Sequence, residues 1–156
     1  MRRFLVVTSL RRFTAEPHIH AKLLVAALLI SNGIRKDAEA VFYLVDLQKT
    51  VKILGSRVKR LFPDEDSSVG FLKKAFAGEK LTGVIVKRGA SDLTIGTTVG
   101  PGGRRRCMPN PPFTYVVVFE PFDIDLECDA GLGKLPPHHQ VVIINIETDR
   151  LLYHRR

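Results

Sequence analysis

The fold class this chain predicts is α/β, with a mostly parallel sheet and helices on both faces. Three observations point there. Strand-like runs recur along the chain, at Phe4–Ser9, Ala40–Val45 and "FTYVVVFEPF" from Phe113. Segments of helical spacing separate them, as in an alternating α/β chain. The run Ala40–Val45 is continuously apolar, which suits a strand buried on both faces. The chain has 156 residues, and 45% of them are hydrophobic. That fits a single domain spanning 1–156 and excludes a disordered chain.

Taken in order, "FLVVTS" is rich in β-branched residues and reads as the first strand. "LRRFTAEPHIH" reads as a polar loop. Ala21–Ser31 is apolar almost all round and predicts a buried helix, with Gly33 as a left-handed cap. After the strand at Ala40–Val45, "DLQKT" predicts a turn, and Val51–Leu54 a short strand. Pro63 breaks the next segment. Asp64–Ser67 supply the acidic and hydroxyl groups of a helix N-terminus. Val69, Leu72, Ala75 and Phe76 then fall at helical spacing, with Gly78 as cap. Gly83–Lys87 predicts a strand and Leu93–Ile95 another. "GTTVGPGGRRRCMPNPP" and "DIDLECDAGLGKLPPHHQ" read as two loops that carry function. Val141–Ile146 is strand or helix, and periodicity does not decide.

The formal net charge of +8 points to an anionic partner, with nucleic acid first and an anionic membrane surface second. The apolar run Leu23–Ile30 is shorter than the roughly 20 residues a membrane span needs. The start, "MRRFLVVTSLRRF", lacks a small-residue cleavage site and reads as a strand rather than a signal peptide. A cytoplasmic protein is expected. Cys107 and Cys128 lack metal-ligand spacing, so two separate thiols are expected rather than a disulfide. Neither a phosphate-binding Gly-rich loop, a Gly-x-Ser-x-Gly elbow nor a His-Glu-x-x-His motif occurs. His138-His139 would point to opposite sides of an extended chain, so no metal is expected there.

"SNGIRKDAEAVFYLV", "VKILGSRVKRLFPDEDSSVGFLKKAF" and "GVIVKRG" resemble, in order and spacing, one family. These are the archaeal tRNA pseudouridine N1-methyltransferases of the SPOUT superfamily, and the likeness covers Ser31 to about Arg88. It implies an α/β domain whose C-terminal chain threads a trefoil knot. It further implies S-adenosylmethionine as cofactor, held by three C-terminal loops, a homodimer formed through the knot helices, and tRNA bound across it. Arg35 and Asp37 match the family's Arg-x-Asp phrase, which implies that they lie beside the target nucleotide. A guanidinium can hold a phosphate with fork geometry. The carboxylate can accept a hydrogen bond from the uracil edge or draw off its N1 proton. The structural alternative sets the basic residues against a helix C-terminus, with Asp37 paired to Arg35.

The C-terminal third departs from the family pattern. Glu120-Pro121-Phe122-Asp123 stands where relatives carry a Gly-Asp-His-x-Gly-like loop, and Gly131–Pro137 stands for a later turn. The cofactor-binding candidates are Phe119, Glu120, Gly131, Leu132, Gly133, Leu135 and Pro136. Glycine permits close approach of backbone to an adenine, and Phe119 or Leu132 would cover its face. The RNA-binding candidates are Arg11, Arg12, Lys36, Arg104, Arg105 and Arg106, with Lys59, Arg60, Lys73, Lys74, Arg155 and Arg156 as wider contributors. Aromatic residues are scarce near the Arg104–Arg106 loop, so structured RNA such as tRNA or rRNA, read by shape and backbone, suits it better than an open single-strand platform. The rival expectation is a non-enzymatic RNA-binding relative with a degenerate cofactor pocket. A third is an unrelated α/β protein that docks a protein partner.

Overall fold

The computed structural model describes residues 1–31 and 33–154. Arg155 and Arg156, two of the expected RNA contacts, lie outside the described residues. Arg2–Thr8 forms β1, which pairs in parallel with β4 (Ala38–Leu44) on one side and β9 (Phe113–Val118) on the other. These are the strongest β-branched runs in the chain, and they make the centre of an eight-stranded sheet. On the β4 side, β5 (Lys49–Leu54) and β6 (Val84–Arg88) add antiparallel. On the β9 side, β7 (Thr97–Val99), β10 (Cys128–Asp129) and β8 (Arg105–Arg106) add in parallel. The sheet is therefore mostly parallel, with order β6-β5-β4-β1-β9-β7-β10-β8. The strand expected at Leu93–Ile95 forms instead at Thr97–Val99.

The polar segment expected to be a loop is helical. Ser9 caps α1 (Leu10–Ala15) by accepting from the Arg12 amide at 2.9 Å, and Pro17 opens α2 (Pro17–Leu28) at its first turn. Helix α2 stops at Leu28, short of the expected end. Leu29–Ile30 (β2) and Gly33–Ile34 (β3) then form a small antiparallel hairpin, so Gly33 is a strand residue and not a left-handed cap. Helix α3 (Glu65–Phe76) begins as read, with Asp64 accepting from the Ser67 amide at 2.9 Å. The ambiguous C-terminal run is α4 (Pro137–His154). Its β-branched residues are poor helix formers, but tertiary packing overrides that preference. Val141, Ile144, Asn145 and Thr148 are buried on one face, and Asn145 Nδ2 donates to the carbonyls of Ala26 at 2.7 Å and Ala27 at 3.2 Å.

The helices occupy one face of the sheet, not both. Phe4, Val6, Phe42, Ile53, Tyr115 and Val117 pack there with Phe13, Leu24, Leu28, Leu72, Phe76, Val141 and Ile144. The opposite face buries Leu5, Val7, Val41, Tyr43, Leu93 and Val116 beneath Phe122, Ile124 and Leu126. That cover comes from the loop after β9, which the sequence presents as polar because its apolar residues are spaced between Asp123, Asp125 and Glu127. Among the described residues, no helix is long and apolar enough to cross a membrane.

Candidate functional site

Three loops meet beyond the carboxyl ends of β9 and β7. They are residues 100–103, the segment after Val118, and residues 131–136. Asp129 binds two of them together. Its Oδ1 accepts from the Gly131 amide at 2.7 Å and its Oδ2 from the Gly102 amide at 3.2 Å. Those two bonds, aided by Arg106, hold its carboxyl below the ordinary carboxylate range. A side chain at Gly103 would meet the backbone of Cys128, so the loop closes only with glycine there. Gly133 lies against Pro101, where a Cβ would come within 3.3 Å of the ring. At the start of α4, Tyr115 donates to Gln140 Oε1 at 2.8 Å, and Gln140 Nε2 donates to the Leu135 carbonyl at 2.9 Å. Burial pushes the Tyr115 phenol well above its usual range, so it stays a donor.

Beside these loops lies a cavity of about 170 Å³, lined by Pro101, Val116, Val117, Val118, Leu126, Pro137 and Gln140 and by none of residues 131–136. The expected cofactor residues flank it. Leu135 and Pro136 precede Pro137, Gly133 faces Pro101, Gly131 faces the Arg106 guanidinium, and Leu132 packs on the core. Phe119 and Glu120 are tied down elsewhere. The Phe119 amide donates to the Val7 carbonyl at 2.8 Å, its own carbonyl accepts from Arg12 Nη2 at 2.9 Å, and Glu120 pairs with Arg12 Nε at 3.3 Å. Beneath Phe119 lies His20, fully buried, bonded through Nε2 to Thr8 Oγ1 at 2.7 Å and through Nδ1 to the Glu16 carbonyl at 2.8 Å. Burial lowers its pKa, so the ring is neutral. It donates from Nδ1 and accepts at Nε2.

No family model matches the chain.

Arg35 and Asp37 sit at the amino ends of the central strands β1 and β4, the amino edge opposite the loops, where the Arg2 amide donates to the Asp37 carbonyl at 2.9 Å. The seven residues of β1 separate that edge from Phe119, about 20 Å at strand rise. One chain therefore does not bring the expected catalytic pair to the expected cofactor loops. Nor does Asp37 pair with Arg35, as the structural alternative supposed. Arg35 Nη1 meets both oxygens of Asp149, each at 2.7 Å. Asp149 also pairs with Arg2 Nη2 at 2.9 Å, and Arg2 donates to Asp37 Oδ2 at 3.2 and 3.0 Å and to Asn145 Oδ1 at 2.9 Å. Charges alternate along Arg35, Asp149, Arg2 and Asp37, and the chain of ion pairs pins the end of α4 to the sheet. Arg35 Nε is buried without an acceptor among the described residues. Asp37 keeps 46% of its side chain exposed.

The basic candidates divide between the two edges. Arg104 pairs with Asp125 at 3.4 Å, both well exposed, and Arg105 and Arg106 form β8 beside the loop cluster. The Arg106 guanidinium packs against Gly131. Arg11 is exposed, whereas Arg12 is largely committed to Phe119 and Glu120. Lys36 is exposed at the far edge, beside Arg35.

Cys107 and Cys128 are joined in a disulfide, with Cα atoms 5.7 Å apart, contrary to the two separate thiols expected. The sequence reading missed this because the partners come together only through the pairing of β10 with β8. It also missed Asp129, although Asp129-Ala130-Gly131 carries a readable signal: an aspartate whose side chain bonds the amide two residues on. Arg2, Asn145 and Asp149 had no local signal.

Proposed function

We propose that this chain is an S-adenosylmethionine-dependent methyltransferase acting on a base in structured RNA. N1 of pseudouridine in tRNA is the target that the family resemblance singles out. The observation that carries this reading is the convergence of three loops at the carboxyl ends of parallel strands, where open α/β sheets take their ligands. Apolar walls from Val116 to Val118 and Leu126, with Gln140 as the polar group, suit an adenosine moiety. The backbone of Gly131, Gly133 and Leu135 would hold the adenine, and Leu132 would cover it. The bound donor supplies an electrophilic methyl group on sulfonium. Arg35 would place a phosphate of the target nucleotide, and Asp37, with one carboxylate oxygen spent on Arg2, would accept the hydrogen bond from the base edge. Catalysis would rest mainly on that positioning.

Because Arg35 and Asp37 lie a strand's length from the loops, this reading requires a second copy of the chain. Val142, Ile146 and Tyr153 leave an exposed apolar stripe along α4 for that homodimer. The loops of one protomer would then face Arg35 and Asp37 of the other. A trefoil knot formed by the last loop and α4 belongs to the same proposal. Transfer of radiolabelled methyl to a pseudouridine-containing tRNA transcript tests it. Arg35→Ala and Gln140→Ala homodimers should each be inactive, and mixing them should restore part of the activity. Two inactive proteins whose mixture stays inactive would refute the shared site.

A second reading, a non-enzymatic RNA-binding protein, is favoured by one observation. The cavity of about 170 Å³ is smaller than the roughly 300 Å³ at which ligand pockets usually begin. RNA binding without any methyl transfer would select it.

A further inference from the structure

Two hollows larger than the cavity at the loop cluster lie elsewhere and share Phe62 in their lining. One, of about 530 Å³, is bounded by Ile30, Gly33 and Ile34 of the β2–β3 hairpin and by Lys59, Arg60 and Phe62. The other, of about 310 Å³, is bounded by Arg60 and Phe62 and by Gly70, Phe71, Lys74 and Leu81. Arg60, Leu61 and Phe62 line both, and Phe62 is 55% exposed. Both volumes fall in the range of ligand sites, unlike the cavity at the loop cluster.

Two features indicate that this groove receives something. Gly70 lines one half, and an added Cβ there would meet nothing within 4 Å. It stands inside α3, where glycine costs about 1 kcal/mol relative to alanine. The second feature is charge. Lys59, Arg60 and Lys74 stand at the groove; among the described residues its lining includes no carboxylate and none of the three cations is in an ion pair. An exposed aromatic ring that borders two hollows, with three cations at their rim, matches successive bases on an aromatic platform with phosphates alongside. A docked amphipathic helix would instead need one continuous apolar groove.

We infer that this groove binds an unpaired two-nucleotide stretch of RNA, with one base on each side of the Phe62 ring and the connecting phosphates on Lys59, Arg60 and Lys74. This rests on the RNA-binding part of the proposed function and specifies its ligand as an unpaired element beside the target. The groove adjoins the Arg35 turn through Ile34, one residue away, so a strand seated in it continues toward Arg35 and Asp37.

Fluorescence anisotropy with two labelled RNA hairpins tests the inference, one fully paired and one identical but for a two-nucleotide bulge. The wild-type chain should bind the bulged hairpin roughly tenfold more tightly. Phe62→Ala should abolish that preference and Phe62→Tyr should keep it, with circular dichroism confirming the fold of each. Lys59→Glu should weaken binding and lower the salt slope by about 0.7 to 0.9. If the wild type binds neither hairpin, the RNA reading itself falls, and this inference with it. If it binds both equally and Phe62→Ala changes nothing, the RNA reading stands and the groove belongs to a protein partner. A bulge preference that survives Phe62→Ala also overturns the inference.

Discussion

Replacing Asp149 with alanine removes the central acceptor of the charge chain at the amino edge of the sheet. Arg35 loses both of its 2.7 Å bonds, and Arg2 loses one 2.9 Å ion pair. Arg2 keeps Asp37 and Asn145, but Arg35, only 11% exposed, is left with no side-chain acceptor among the described residues. Removing one partner of a fully buried pair costs about 3–5 kcal/mol. Asp149 is itself 36% exposed, so water relieves part of the loss, and about 2–3 kcal/mol is expected. For a chain of this length that lowers the melting temperature by about 4–12 °C. Thermal melts followed by far-ultraviolet circular dichroism measure it. Arg35→Ala should cost less, because Asp149 keeps Arg2. The double variant should show a coupling of about 1–2 kcal/mol between the two positions. An Asp149→Ala protein melting within about 1 °C of the wild type would refute the assignment of this network to holding α4.

Three further outcomes follow from the same structure. The folded pKa of His20 lies below its ordinary 6.5, so the stability tied to its neutral form is complete above that value and is lost as pH falls below it. Urea midpoints should drop between pH 7 and pH 5, and His20→Asn should flatten that slope; equal slopes would contradict the neutral buried ring. Asp129, whose folded pKa is also lowered, keeps its hold on Gly102 and Gly131 above the ordinary carboxylate value and releases it as pH falls below about 4. Asp129→Ala should therefore speed hydrogen exchange of those two amides by roughly tenfold at pH 7, and unchanged exchange would count against the tether. Cys107 and Cys128 are separated by 21 residues, a loop whose closure is worth about 3 kcal/mol. Cys107→Ser, or a dithiol reductant on the wild type, should lower the melting temperature by about 6–12 °C, and melts indifferent to reductant would show that the bond does not form in solution.

The central strands were readable because β1, β4 and β9 are runs of β-branched and aromatic residues, and strand propensity agrees with burial there. The start of α3 was readable from Asp64, a local cap. Helix α1 and the first turn of α2 were missed although Ser9 and Pro17 are both helix-start residues; the polar composition of the segment outweighed them, while the rest of α2 was read from its apolar run. The character of α4 was not readable, since its isoleucines and valines favour a strand and only its docking on Ala26 and Ala27 decides the matter. The helix-free second face was hidden because its cover is a loop with apolar residues at alternate positions. At the candidate site, composition and the family resemblance pointed to Gly131, Gly133 and Leu135, but not to the tether at Asp129. Arg35's partner Asp149 and two of Arg2's partners, Asn145 and Asp149, lie more than one hundred residues away. No local pattern links such residues, because their meeting depends on the order of strands in the sheet.

The claim on which the proposed function turns is that the loops around Asp129 and Gln140 receive the methyl donor. Isothermal titration with S-adenosylhomocysteine measures this without any assumption about the RNA. Binding at one molecule per chain, weakened by Gln140→Ala and by bulk introduced at Gly133, is the expected result. No heat at millimolar ligand, from protein whose melting curve is intact, would contradict it and leave the non-enzymatic RNA-binding reading in its place.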